Sequence, residues 1–392
     1  MSADALPAKT LLWCAELTLT DFRNHAETAL ALDARPVCLF GANGAGKTNI
    51  IEALTMFAPG RGLRSASVTE AARGGEAAME SRARPWTVSA RMHLGDEEIR
   101  LGVGAERTPE GGFKRVARVD GRPASAADLA AAARMIWVTP AMDRLFSGPP
   151  GDRRRFLDRL VLGRASEHGQ AAAAYERALR ERQRLLNEDR RDDTWLSALE
   201  HEMAAHGGAV AAARVETVTY LQAAINARPE GAFPKSALAL EGEIEAAFAG
   251  GGKSGDIEDR FAAALRENRY RDAAAGRAVL GPHRADLLVR HGPKDMPADQ
   301  CSTGEQKALL LGLVLAQARA LVDDIGAGPS LILIDEAAAH LDADRRAALF
   351  GELLALPGQA WLTGTDRELF VAFGDRAQLV EVRDGGARHT NL

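Results

Sequence analysis

Two segments near opposite ends of the chain constrain its fold most. Gly41-Ala42-Asn43-Gly44-Ala45-Gly46-Lys47-Thr48 follows the apolar run Val37 to Phe40 and leads into a helical stretch from Asn49 to Phe57. A strand, a glycine loop and a helix in that order is the context in which backbone amides curl round a phosphate. Glycine removes the Cβ clashes, and the helix start adds partial positive charge. In such a loop Lys47 reaches the β- and γ-phosphates, and the Thr48 hydroxyl faces Mg²⁺. Lys47 of this loop stands 288 residues before Asp335, which with Glu336 ends the aliphatic run Leu331 to Ile334. Ligand groups collect at the carboxyl ends of parallel strands. There Asp335 suits the surroundings of Mg²⁺, and Glu336 suits a base that orients and deprotonates water. Taken alone, a buried strand ending in two carboxylates is also a capped helix start; paired with the glycine loop it reads as a nucleotide site. The two segments must meet in space, so a large insertion separates them in sequence.

The texture of the chain shows where that insertion lies. Two strands joined through Asp21 to His25 precede the loop, and strands follow at Trp86 to Leu94, Ile99 to Val103, Lys114 to Val119 and Ile136 to Val138. Ala124 to Met135 reads as a helix. From Arg153 to Ala224 the composition is that of long helices. Tyr175, Leu179, Arg182 and Leu186, then Val215, Val218, Leu221 and Ile225, recur at helical spacing on either side of Gly207 and Gly208. This predicts an antiparallel helical pair turning at those glycines, with a break near Gly163; an ordinary helical subdomain or a coiled coil both suit the spacing. A strand near Ala237 to Ile244, a helix from Ile257 to Arg271 and a strand with a turn from Val279 to Leu288 follow. A long apolar helix from Gly304 to Leu321, a helix from Ala343 to Leu354, strands at Gln359 to Leu362 and Gln378 to Val382, and a polar tail complete the chain. The class is α/β, with residues 1–150 and 276–392 forming one body and 151–275 an inserted, mainly helical arm.

A third segment, Cys301-Ser302-Thr303-Gly304-Glu305-Gln306-Lys307, precedes the long apolar helix. Ser302, the Gly304 amide and the helix start can hold an anion, and capping alone also explains Ser302 and Thr303. The segment resembles the signature of ABC-type ATPases. Closer similarity is to the RecF family of bacterial recombination-repair proteins, short relatives of the SMC and Rad50 heads. It rests on Leu19-Thr20-Asp21-Phe22-Arg23-Asn24, Gly41 to Leu54, Pro149 to Asp158, Gly281-Pro282-His283-Arg284-Ala285-Asp286-Leu287, Ser302 to Leu310, Leu331 to Glu336 and Thr363-Gly364-Thr365-Asp366. The resemblance implies an ABC-type P-loop head with mixed sheets, ATP and Mg²⁺ as ligands, and two ATPs buried between two copies of the chain. Gly41 to Asn49 with Asp335 and Glu336 would form one half of each site; Ser302 and Gly304, in the segment with Thr303 and Glu305, and Asp342 would complete the other, while Thr365 or Asp366 would orient water. Arg64 is either a phosphate contact or a solvent-facing loop arginine, and Asp342 is alternatively a helix cap. The resemblance further implies an ATP-dependent homodimer on double-stranded DNA beside single-strand gaps, and work with RecO and RecR to help RecA displace single-strand-binding protein. A cytoplasmic, nucleoid-associated location and a part in the response to DNA damage go with it.

Two features depart from the ABC pattern. No glutamine stands between Lys47 and Arg134, and Thr363-Gly364-Thr365-Asp366 stands where a switch histidine is usual. His93 lies on an alternating strand and reads as structural. Slow hydrolysis follows from both departures. Arg153 to Arg155, Arg177, Arg180, Arg182, Arg184, Arg190 and Arg191 form a basic helical stretch, suited either to tracking phosphates or, with its interleaved acids, to a solvated face. The formal charge of −5 excludes a uniformly basic nucleic-acid binder but not a local basic face. Cys14, Cys38 and Cys301 have no metal-ligand spacing and fit a reducing compartment. The first ten residues lack a secretory pattern, and no apolar run is long enough to span a membrane. A transporter ATPase subunit is the nearest alternative, but too much chain lies between Lys47 and Cys301. A structural protein with a degenerate site is the other, and intact Lys47, Asp335 and Glu336 oppose it.

Overall fold

The computed structural model describes residues 11–60, 62–64, 66–75, 85–110, 112–188, 192–323, 328–336 and 341–390. They divide into two compact units: Met1–Asp143, Gly231–Phe233 and Leu310–Leu392 in the first, Arg144–Glu230 and Pro234–Leu309 in the second.

The first unit holds two six-stranded sheets. One is antiparallel, in the order His25–Ala31, Leu12–Phe22, Thr87–Leu94, Glu97–Arg107, Phe113–Val119, Arg122–Pro123. Alternation gives it one apolar face: the cross-strand row Leu19, Val88 and Val103 is buried, while Thr18, Ser89, Gly102 and Arg118 form a row on the opposite face. The second sheet runs Gly386–Thr390, Gln378–Arg383, Val37–Phe40, Ala360–Gly364, Leu331–Ile334, Met135–Val138. Its strands pair in parallel except at the Gly386–Thr390 edge. Parallel strands are covered on both faces and read as continuous apolar runs; Leu331 to Ile334 are all buried. The helix Lys47–Thr55 touches a strand of each sheet. Its Ile50, Ile51 and Leu54 are fully buried, each stabilising the unit by about 2 kcal/mol. Arg115 caps the end of that region by donating to Met56 O and Gly60 O.

The tail read as polar is a strand. Gly386–Thr390 pairs back on Gln378–Arg383 through Asp384 and Gly385, both at positive φ. This is the Asp-Gly turn of a hairpin, and the edge strand's polar residues face outward.

The second unit is built round the helices Pro150–Arg164, His168–Asn187, Asp193–Ala227 and Ser254–Glu267. Tyr175, Leu185, Leu196, Leu199, Met203, Ile257, Phe261 and Leu265 share one core, which is a helical subdomain and not an extended coiled coil. The break near Gly163 stands, the first helix ending at Arg164. Gly207 and Gly208 are not a turn: both lie inside the continuous helix Asp193–Ala227. A Cβ on Gly207 would stand 2.9 Å from Tyr175 and 3.0 Å from Phe261, so this glycine admits close packing. Ile244 belongs to the helix Glu243–Ala249, after the strand Ser236–Glu241. The helix expected from Ile257 to Arg271 is two, Ser254–Glu267 and Arg269–Ala275, parted at Asn268.

The boundary expected after residue 275 falls instead after Leu309. The strand Asp286–His291 pairs with Ser236–Glu241, and Arg153 grips Asp286 with Nε at 2.8 Å and an NH2 group at 2.7 Å. Arg154 donates to Ala285 O at 2.7 Å. Two family-like segments, Pro149 to Asp158 and Gly281 to Leu287, therefore explain each other. Among the expected basic residues, Arg153 and Arg154 turn inward for this reason. Arg182 is fully buried, bonded to Glu200, Asp272 and Leu265 O. Arg177, Arg180 and Arg184 are exposed, Arg155 is paired with Asp152, and Arg190 and Arg191 lie outside the described residues.

Candidate nucleotide site

In the parallel sheet, Phe40 stands beside Gly364, and Ile334 stands between Leu362 and Val138. Three segments remote in sequence thus end at one sheet edge, the carboxyl side, where ligands bind in such sheets. The glycine loop leaves Phe40 there. Gly41 has φ 150°, and a Cβ on it would stand 2.2 Å from Val382 O. Gly46 caps the helix at φ 114°. Ala42, Asn43 and Gly44 are exposed, and no atom would meet a Cβ on Gly44 within 4 Å.

Lys47 folds over its own loop, its Nζ 2.7 Å from Gly41 O and 2.9 Å from Ala42 O. Burial pushes its pKa below the usual lysine range, while Glu336, Asp335 and Asp366 pull it up. Three carboxylates therefore face the ammonium. Asp335, nearly buried, accepts from the Thr48 hydroxyl at 2.9 Å and from the Thr363 hydroxyl at 2.8 Å, both at Oδ1. The Thr363 oxygen also accepts from the Glu336 amide at 2.8 Å. Glu336 takes φ 54°, a left-handed conformation that costs a residue with a Cβ about 1–3 kcal/mol and persists where neighbours hold it. The hydroxyls of Thr48 and Thr363, the carboxylate of Asp335 and the ammonium of Lys47 make a donor set suited to a phosphate chain with its Mg²⁺.

Asn49 donates to Asn24 Oδ1 at 2.7 Å. Arg64, half exposed, donates to Asn49 Oδ1 at 2.7 Å and to Glu52 at 3.1 Å, beside the loop. Glu52 is fully buried and also accepts from Arg23 Nε at 2.9 Å. Thr365 is exposed and gives its proton to Asp366 at 2.8 Å. Asp342 caps the helix Ala343–Ala355, accepting from the Arg345 amide at 2.8 Å. His340, beside it, lies outside the described residues. His93 stacks on Trp13 with ring centroids 4.5 Å apart.

Ser302, Thr303, Gly304 and Glu305 belong to the second unit. Ser302 and Glu305 form a reciprocal cap: Glu305 Oε2 accepts from the Ser302 hydroxyl at 2.9 Å and its amide at 3.0 Å. Lys294, then Ser302, hold the Glu305 carboxyl down to about 2. Thr303 and Gly304 are exposed on the first turn of the helix Thr303–Asp323.

Sequence reasoning missed Thr363, Asn24, His25 and Glu52. Thr363 stood one pleat before Thr365, on the buried face, and only the sheet register shows that it meets Asp335. Asn24 ended the family-like segment from Leu19 and His25 stood just after it, in the connection between two strands; the contacts of neither were visible.

The family model RecF/RecN/SMC N terminal domain matches residues 14–372. The chain belongs to this family. It is 48% identical over 382 residues to "DNA replication and repair protein RecF" of Rhizobium etli (strain CIAT 652), covering 97% of this chain and 99% of that one. It is 50% identical over 377 residues to the protein of the same name from Brucella suis biovar 1 (strain 1330), covering 94% of each. In fold it resembles the recombination mediator protein RecF-ATP of the RecFOR pathway, with a TM-score of 0.81 at 18% identity and coverage of 98% and 99%. The Smc head domain of Pyrococcus furiosus, solved with an extended coiled coil, gives 0.53 at 16% identity. The fold is thus an ABC-type ATPase head with mixed sheets and an inserted helical region, and its family implies ATP binding and hydrolysis with Mg²⁺. Among the described residues no helix is long and apolar enough to cross a membrane.

Proposed function

We propose that this chain is an ATP-dependent DNA-binding protein of recombinational repair. Its ATP-bound dimer clasps duplex DNA beside single-strand gaps and, with RecO and RecR, helps load recombinase onto DNA coated by single-strand-binding protein. Hydrolysis is slow and releases it. The observation that carries the ATP part is the convergence of Thr48, Asp335, Thr363 and Glu336 beside Lys47. The DNA part rests on the relatives' names and family.

In this reading the amides of Gly41 to Thr48 hold the phosphates and Lys47 leaves its loop carbonyls for the β- and γ-phosphates. Thr48 and Asp335 hold Mg²⁺, which supplies charge neutralisation on the phosphate oxygens. Glu336 orients and deprotonates the attacking water. Asn49 and Arg64 flank the phosphates. Ser302 and Gly304 of the second copy, in the segment that also carries Thr303 and Glu305, close the site together with Asp342, and the inserted helical region serves as an arm. Thr365 spends its proton on Asp366, which supports slow water activation.

Duplex binding measured with and without ATP across a salt series tests this. ATP should tighten binding, and log affinity should fall linearly with log salt. Binding indifferent to ATP, or none, sinks the mechanism. Glu336→Gln should slow hydrolysis and lengthen the life of the dimer; if it does neither, Glu336 is not the base.

A further inference from the structure

The turn between the strands Leu12–Phe22 and His25–Ala31 lies against the back of the glycine loop, and nothing above assigns it a role. Asn24 Nδ2 donates to Ala45 O at 3.1 Å, and the Gly385 amide reaches the same oxygen at 3.3 Å. His25, fully buried, places Nε2 3.2 Å from Gly46 O, adding a second donor to the Ile50 amide that the same oxygen accepts at 3.2 Å. Contact is so close that a Cβ on Gly46 would stand 2.7 Å from both the Asn24 and His25 side chains.

The consequence follows from the planar trans peptide, in which C=O and N–H point in opposite directions. Ala45 O shares a peptide with the Gly46 amide, and Gly46 O shares one with the Lys47 amide. Donors that hold those two oxygens backward aim those two amides forward. Gly46, with its positive φ and no side chain, is the residue whose flanking peptides flip most cheaply. We propose that Asn24 and His25 are positioning residues of the phosphate loop: they lock the Gly46 and Lys47 amides toward the phosphate chain of the nucleotide. This rests on the phosphate-site reading of the loop.

Proton bookkeeping sharpens the role of His25. Gly46 O only accepts, so Nε2 carries the proton. Burial pushes the imidazole pKa below its usual range, against the backbone contacts with Gly46 and Gly385 that pull it up, which favours the ring with its single proton on Nε2. Nδ1 lies 2.9 Å from the Thr28 hydroxyl, which also lies 2.9 Å from Gly385 O. Thr28 donates its proton to Gly385 O, so the tautomer that pins the loop is set at Nε2, where Gly46 O can only accept.

The test uses the full chain, titrated with MgADP and MgATP, with thermal melts alongside. Gln places its amide where His25 has Nε2; Asn places it where His25 has Nδ1. His25→Gln should bind both nucleotides within about threefold of the parent, while His25→Asn should lose about tenfold, the value of one hydrogen bond to the loop. Asn24→Ala, at an exposed turn that folding tolerates, should also weaken binding several-fold. In both weakened variants KM for ATP should rise while kcat at saturation holds, because Asp335 and Glu336 are untouched. Equal affinities for His25→Gln and His25→Asn overturn the inference, as does parental affinity in Asn24→Ala. If His25 variants do not fold, the Asn24→Ala titration decides alone. Failure of the underlying reading looks different: the parent would not bind MgATP, or Lys47→Ala would bind it as well as the parent.

Discussion

Replacing Thr363 by Val removes one hydroxyl and keeps the β-branched shape that the strand Ala360–Gly364 packs. That hydroxyl makes two bonds, to Asp335 Oδ1 at 2.8 Å and from the Glu336 amide at 2.8 Å. Thr363 is only 1% exposed, so water does not replace what is lost. A bond to a carboxylate contributes about 1.5–3 kcal/mol, and stranding a buried amide costs about 1–3 kcal/mol. Asp335 retains Thr48, which offsets part of the first loss. We expect a net effect of about 2 kcal/mol. Glu336, in its left-handed conformation, loses the contact that holds its backbone. If the whole effect is expressed in the transition state, kcat falls roughly thirtyfold. The assay is steady-state ATP hydrolysis by the full chain with duplex DNA, with ATP affinity and melting temperature measured on the same samples. kcat should fall, ATP affinity should change little, and Thr363→Ser should restore turnover. An unchanged kcat would mean that Thr363 does not hold Glu336 in place; a raised KM at constant kcat would move Thr363 from orienting Glu336 to binding nucleotide.

Adjacent helical glycines should respond oppositely to alanine. In Gly207→Ala the gain of about 1 kcal/mol in helix propensity is outweighed by crowding against Tyr175 and Phe261, typically about 1–3 kcal/mol, so chemical denaturation should show a loss. In Gly208→Ala the nearest atom is the Glu258 side chain at 3.1 Å, which can move, so stability should hold or rise. Asp158 is pulled up by burial but held down to about 2 by His168 and Arg214. Its depressed pKa stabilises the fold by about 2 kcal/mol at pH values above the usual Asp range, and that contribution is lost as pH falls toward about 2. Asp158→Asn should therefore destabilise at neutral pH and flatten the acid limb of a stability-versus-pH curve. Gly41→Ala should abolish nucleotide binding, since its Cβ would strike Val382 O; retained affinity would show that the loop can shift.

The nucleotide loop, the acidic strand end and the inserted helices were legible because each is local. A glycine spacing, four consecutive aliphatics or a helical period of apolar residues states its own conformation. Even the conclusion that Lys47 and Asp335 meet followed from sequence, because neither motif has chemistry without the other. What tertiary structure decided was everything that depends on which distant strand lies next door. Register set Thr363 on Asp335, and a turn before the loop set His25 on Gly46 O. Arg153 and Arg182 read as surface charge, yet burial against Asp286, Glu200 and Asp272 made them internal ties. Gly207 read as a turn because glycine breaks isolated helices; Tyr175 and Phe261 crossing it turned the same lack of a side chain into a packing requirement. The segments split across the sequence are rejoined by one parallel sheet, in which the strands ending at Phe40, Gly364 and Ile334 lie side by side, a neighbourhood no local propensity encodes.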